Sequence, residues 1–284
     1  MNKQKACKSL ISKYAFLLFL VLTLTRINVS AQNEAFTNLI GMEFVKIGTG
    51  EIVIGKFQPT VGKYQQPDDK EVKVLPPSAY AIAEKMAIKA ILQGFLVKID
   101  QPFYLGKFEV TQEQWKTVMG YNPSYFQNEK VSGNSSRHPV ESITWKEAQT
   151  FIKKLNRLDN DHFYRLPTEF EWEIAAAAGA TDDISWATAA AMGVISKPEV
   201  SPVGTKKPNA FGLYDMIGNV WEWVQDLYNE KIFADPIPPR KGKQHVLKGS
   251  SFTGDAKNAT YKTHAAGPGN GFDIGFRLVM EIKQ

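Results

Sequence analysis

Two stretches of this chain carry side chains whose types and spacing could do chemistry. In Asp215-Met-Ile-Gly-Asn-Val-Trp-Glu222 two carboxylates bracket a tight Gly-Asn turn. Such a loop offers side-chain oxygens and backbone carbonyls together, the hard donor set that calcium requires. The competing reading has Asp215 capping the turn and Glu222 pairing with a nearby base. Further on, Ser250, Ser251 and His264 lie near one another, the residue types of a nucleophile and its base. No nucleophile-elbow motif surrounds them and no orienting acid can be placed. The adjacent serines read more simply as small residues at a crowded turn.

Redox or soft-metal chemistry needs thiolates or paired imidazoles, and the chain is poor in both. Its one cysteine is Cys7, and its four histidines, His138, His162, His245 and His264, include no pair at short spacing. His162 reads as a surface residue. His245 and His264 flank the serine stretch and could approach each other, although solvent-facing or core roles suit them better than ligation.

The elements that must position these residues begin with an export signal. Lys3, Lys5, Lys8 and Lys13 precede an apolar run over residues 14–24, and Val29-Ser30-Ala31 has the small-residue form of a cleavage site. The run is shorter than the ~20 residues needed to span a bilayer, so residues 1–31 are expected to be cut off and no membrane span to remain. Cys7 precedes the apolar run, which is the wrong place for a lipid-bearing cysteine. Cleavage removes Cys7, five basic residues and no acidic one, taking the formal charge from +5 to 0. That charge gives no reason to expect nucleic acid or an anionic membrane as partner. The expected location is periplasmic or extracellular. Without thiols no disulfide can form there, so a core, aided by any bound ions, must stabilise the fold. Residues 32–284 are ample for one large domain.

Three helix starts share one device, a threonine that caps the first free amides while a Glu or Gln three residues on reaches back. They are Thr111 with Gln114, Thr144 with Glu147 and Thr168 with Glu171. Behind the first, Trp115, Val118 and Met119 share a face and Gly120 supplies the stop. Behind the second, Ala148, Phe151, Ile152, Leu155 and Leu158 do so; the third runs into Gly179. Residues 76–97, from Pro76-Pro77-Ser78 through Ile82, Met86 and Ile91, predict an inserted amphipathic helix. Short β-rich runs over residues 51–54, 103–110, 245–248 and 276–282 are separated by Gly, Pro and Asn. There is no internal repeat. Few helices, short strands and much irregular loop predict a mixed α+β domain.

The motifs also add up to a resemblance. Glu109-Val-Thr-Gln-Glu-Gln-Trp115, Met119-Gly-Tyr-Asn-Pro-Ser124, His138-Pro-Val140, Tyr164-Arg-Leu-Pro-Thr-Glu-Phe-Glu-Trp172 and Pro202-Val-Gly-Thr-Lys-Lys-Pro-Asn209 are followed by Phe211-Gly-Leu-Tyr-Asp215, Gly218-Asn-Val-Trp-Glu-Trp223, Leu247-Lys-Gly-Ser-Ser-Phe252 and Gly275-Phe-Arg-Leu278. In this order, over roughly residues 41–280, they resemble the domain of formylglycine-generating enzymes, the sulfatase-modifying factors. The resemblance implies an elaborated C-type-lectin-like fold. It also implies an oxidase in which two cysteines hold copper(I) and a sulfatase cysteine is converted to formylglycine. Here those cysteine positions fall on Gly254 and Ala259, so copper is not expected. By the same resemblance a structural calcium would be held through Asp215, Gly218, Val220 and Glu222. The family's second calcium loop is not recognisable in residues 181–201.

What remains at the degenerate site is expected to be a groove lined by Trp221, Ser251 and Phe252, with Asp255, Asn258, Tyr261 and the glycine-rich residues 267–271 at its rim. Trp223 reads as core. Aromatic and small polar side chains at a concave surface suit a peptide, protein or glycan ligand of the cell envelope. Two classes of function stand. One is a secreted, non-catalytic binding or assembly module, as related domains are in some bacterial lipoproteins. The other is a sulfatase-maturing oxidase, or a related oxidoreductase, with an atypical site.

Overall fold

The computed structural model describes residues 35–57, 92–131, 133–180, 184–232, 237, 239–256, 259–267 and 269–283. All of these lie within one compact unit, Asn33–Gln284.

The three threonine boxes form. Thr111, Thr144 and Thr168 each accept from the backbone N–H three residues on, and Gln114, Glu147 and Glu171 reach back to the cap. They start α1 (Gln112–Met119), α2 (Trp145–Leu158) and α3 (Glu169–Ala177). Gly120, at φ 87°, ends α1 as expected. After α3 the chain turns left-handed at Ala178, φ 47°, and at the expected Gly179, φ 84°. Helix α2 buries Ala148, Phe151, Ile152 and Leu155, but Leu158, at its last turn, has rotated out to 54% exposure. A fourth helix, α4 (Trp186–Met192), starts at Ser185, whose hydroxyl accepts from Thr188 N–H.

Strands β1 (Ala35–Thr37), β2 (Glu43–Ile47), β5 (Phe103–Gly106), β6 (His162–Arg165) and β11 (Val279–Ile282) make one antiparallel sheet in the order β1-β2-β5-β11-β6. The C-terminal strand therefore sits between two earlier ones. Residues 276–278, expected as strand, instead run irregularly beside β5, with Gly106 N–H bonded to Leu278 O and Val110 N–H to Phe276 O. A second sheet has the order β10-β7-β8-β9, from β7 (Trp221–Leu227), β8 (His245–Lys248), β9 (His264–Ala266) and β10 (Ile274–Gly275). Only β10 in this sheet runs parallel to its neighbour, β7.

The remaining strands, β3 (Gly50–Phe57) and β4 (Leu92–Ile99), pair with each other in register from Gly50 opposite Ile99 to Phe57 opposite Leu92. This corrects part of the helix expected over residues 76–97: residues 76–91 lie outside the described residues, and residues 92–97 are strand. Long-range pairing decides here, because Ile54 is buried opposite Phe95, whose ring packs edge-on against Phe170.

Strand β6 is an edge, yet its middle residue is closed. Asn156, on α2, donates its amide to Tyr164 O at 2.8 Å and accepts Tyr164 N–H at 2.7 Å. One side-chain amide thus takes the place of a neighbouring strand. The core has two main clusters. In one, Trp115 stacks on Phe151 with ring centroids 5.3 Å apart, and Phe276 meets both edge-on. The other gathers Leu105, Trp172, Val246 and Val279.

Candidate functional site

The loop from Asp215 to Glu222 is built around a buried cation that belongs to the chain. Arg277 Nε–H and Nη2–H each donate to a different Glu222 oxygen at 2.6 Å, and Trp172 Nε1–H adds a third bond at 2.7 Å. The same guanidinium reaches Gly106 O, Tyr214 O and Asp215 O. Glu109 accepts from the Asn219 side chain at 2.6 Å and from Val220 N–H at 3.1 Å. Gly218 is required by the turn, since its φ is 81° and a Cβ there would collide with Val194 O.

Three carboxylates, Glu109, Asp215 and Glu222, are thus buried around one guanidinium. Burial pushes the Asp215 carboxyl up to about 6, against the pull of Gly204 N–H and Arg277. Burial and the charges of Asp215 and Glu222 hold Glu109 well above the ordinary carboxylate range. The donor set expected for calcium is split. Glu222 is committed to Arg277 and Trp172, whereas Asp215 Oδ1 is buried without a hydrogen-bond partner among the described residues. Asp215 fits a cation; Glu222 does not. No group of three or more His, Cys, Asp or Glu able to hold a metal is present among the described residues.

The two cysteine positions are crowded or buried as well as thiol-free. A Cβ on Gly254 would collide with Ser250 Oγ and come within 3.0 Å of Ser251 O. Gly254 O accepts from Ser196 N–H, and Phe252 O from Lys197 N–H, so this turn is pinned against the 196–197 segment. Ala259 is buried in the second core cluster.

The structure does not gather the expected groove residues along one surface. Tyr261 is buried in the second cluster, Trp221 packs half-buried on the first, Asp255 is exposed and Asn258 lies outside the described residues. Phe252 is a core residue, at 1% exposure, because Phe126 and Phe272 cover its ring. Ser251 is buried too, and its hydroxyl donates to Asp273 Oδ2 at 2.8 Å rather than to any histidine.

What stands on the surface above Phe252 is an aromatic platform that the sequence reading missed. Tyr125 and Phe272 are each 50% exposed, with ring centroids 6.3 Å apart. Phe126 supports both from beneath. Lys130 Nζ lies 3.5 Å from the centre of the Tyr125 ring, within cation–π range. A buried carboxylate joins the two rims: Glu141 Oε1 accepts Phe126 N–H, Oε2 accepts Ser142 Oγ–H, and Ser142 N–H bonds Gly271 O. Burial raises the Glu141 carboxyl, partly offset by those donors. Asp273 O in turn accepts Trp221 N–H at 2.8 Å, which fixes the 271–273 turn to β7. The one sequence signal was Tyr125-Phe126 directly after the quoted Asn-Pro-Ser turn.

The histidines serve separate tasks. His245 stacks on Trp145 with centroids 3.8 Å apart, while His264 pairs with Glu169 at 3.0 Å. Lys248, three residues along β8 from His245, is the strand partner of His264, so the two imidazoles are held apart. His162, expected at the surface, is partly buried against Phe36 and Asp159. His138 and Trp223 are buried, the latter donating its Nε1–H to Ile143 O.

The model of the sulfatase-modifying factor enzyme 1-like domain matches residues 60–282. The chain is 30% identical over 238 residues to the chaperone protein LppX of Paenibacillus barcinonensis, covering 62% of this chain and 79% of that protein. It is 25% identical over 303 residues to the serine/threonine-protein kinase pkn1 of Chlamydia caviae, covering 90% of this chain and 45% of the kinase. With the formylglycine-generating enzyme of Streptomyces coelicolor it shares 31% identity over 139 residues, 40% of this chain and 42% of the enzyme. The chain thus spans less than half of the latter two. Among solved structures, variable protein 1 of Treponema denticola superposes with a TM-score of 0.64 at 26% identity, over 87% of this chain and 99% of that one. PvdO from Pseudomonas aeruginosa gives 0.67 at 21% identity, over 88% and 98%, a likeness of fold. A domain shared by proteins with such different names does not by itself set an activity.

Proposed function

The chain belongs to the sulfatase-modifying factor enzyme 1-like domain family and has its C-type-lectin-like fold, and from that premise we propose that it is a non-catalytic binding or assembly module of the cell envelope. The observation that carries this reading is Gly254. A soft copper(I) site needs two thiolates, and here one of the two positions is a glycine crowded by Ser250 and Ser251 while the other, Ala259, is buried in the core without a thiol. The chain's one cysteine, Cys7, falls in the segment proposed as a cleaved export signal. Similarity to LppX, a protein named as a chaperone, supports the handling of another protein rather than oxidation.

In this reading the ligand-binding face is the platform of Tyr125 and Phe272. Two half-exposed rings on a fixed base give contact area at little entropic cost, as binding surfaces for peptides and glycans do. A structural calcium at the 215–222 loop belongs to the same proposal. Its support is the buried unpartnered oxygen of Asp215, and Glu222 stays with Arg277. Asp215 would hold the ion, which would supply only charge and rigidity.

The test is an oxygen-consumption assay with a cysteine-containing sulfatase peptide, run with copper added, beside peptide and glycan arrays probed with the wild-type protein and Tyr125→Ala/Phe272→Ala. No oxygen uptake, and array ligands lost in the double variant, are the expected results. Turnover of the peptide overturns the proposal.

A further inference from the structure

A second surface, away from the platform, has a chemistry of its own. Between α2 and β6 lies a shallow pocket of about 580 Å³ whose lining includes Lys153, Arg157, Arg165, Phe163 and Gln225 and no carboxylate. Arg165 is already committed, bidentate to Glu171 at 2.7 Å and through Nε to Glu281 at 2.8 Å. Lys153 and Arg157 are exposed and make no ion pair among the described residues. They stand four residues apart on α2, which places them side by side on one helix face. Beside them in the same lining the Phe163 ring is 44% exposed.

Basic residues in the last turns of a helix offset its dipole by a few tenths of a kcal/mol. That effect needs neither a pocket nor an exposed ring, so it leaves the arrangement unexplained. We infer that the α2–β6 pocket docks an acidic segment of a partner protein, with Lys153 and Arg157 meeting its carboxylates and Phe163 its apolar side chains. Two features choose a peptide over a small anion. The uncommitted cations are both exposed, so no buried donor would hold an isolated phosphate, and the exposed Phe163 ring has no use in such a site. Recognition runs through side chains, because Asn156 already occupies the outward backbone groups of Tyr164. The inference does not depend on the platform.

Fluorescence anisotropy tests it, with the purified protein and a fluorescein-labelled ten-residue peptide alternating glutamate and leucine. Saturable binding is expected, at least about tenfold weaker in Lys153→Glu/Arg157→Glu and unchanged in Lys241→Glu/Lys243→Glu, which alters net charge equally. Phe163→Ala should weaken binding severalfold, and Tyr125→Ala/Phe272→Ala should leave it intact. All four charge reversals are at exposed sites, so unchanged melting confirms folding. Equal loss in the two charge-reversed pairs, absence of saturable binding, or displacement of the peptide by equimolar inorganic phosphate would each overturn the inference.

Discussion

The 215–222 loop and the Tyr125–Phe272 platform are stitched together, since Phe252 N–H bonds Asn219 O and Trp221 N–H bonds Asp273 O, yet they use their side chains in opposite ways. In the loop, ionised and ionisable groups are buried and nearly all bonded: Glu222 alone accepts from Arg277 twice and from Trp172 once. On the platform, two large rings are left half in water above a layer of buried ones. Polar saturation makes one region stiff, and unspent apolar area makes the other available. The bonded loop thus forms the base on which the rim of the platform is pinned.

The strongest way to break this comparison is to unbalance the loop. Glu222→Gln leaves Arg277 buried without its principal partner, and removing one member of such a pair costs about 3–5 kcal/mol. Denaturant unfolding should show a loss of that order; a loss under ~1 kcal/mol would mean the loop is not the rigid half. Calcium should act next in size. A ligand at about a hundred times its Kd stabilises by ~2.7 kcal/mol, so added calcium should raise the melting temperature and Asp215→Asn should abolish the rise. No shift would assign the loop's cation to Arg277 alone.

The platform should respond differently. Tyr125→Ala/Phe272→Ala removes half-exposed rings, so the stability cost is expected to stay near 1 kcal/mol, well under that of burying the same groups fully, while array ligands are lost. A melting drop as large as that of Glu222→Gln would turn the platform into core. The smallest effect belongs to Glu141. Its folded carboxyl titrates above the ordinary 4.5, so the native state holds the proton longer than the unfolded one. Its contribution is therefore full below about pH 4.5 and declines as pH rises through the folded value. Glu141→Gln should flatten that decline in denaturant midpoints measured from pH 4 to 7.

How much of this was legible in the sequence depended on distance along the chain. Thr144 and Glu147 signal a helix start because the bonds they make are three residues long. The reading that Glu222 pairs with a base was available too, but its partner, Arg277, is 55 positions away and only the fold identifies it. Phe252 and Phe272 are the same residue type, and nothing in composition tells that one ring is roof and the other foundation. The helical periodicity over residues 76–97 fails at its end because β3 supplies a pairing partner. Gly254 was legible as the missing thiol, but the crowding of that position by Ser250 was not.

The Asn156 amide has a consequence for the solution behaviour of the protein. An open strand edge invites any extended chain to zip on, a hazard that grows where protein is crowded. With Tyr164 O and N–H both engaged by one side chain, copies of this protein meeting at β6 find those two peptide groups already taken. Contact at Tyr164 is thereby left to side chains, a chemistry more open to salt and to competing ligands than a backbone ladder is.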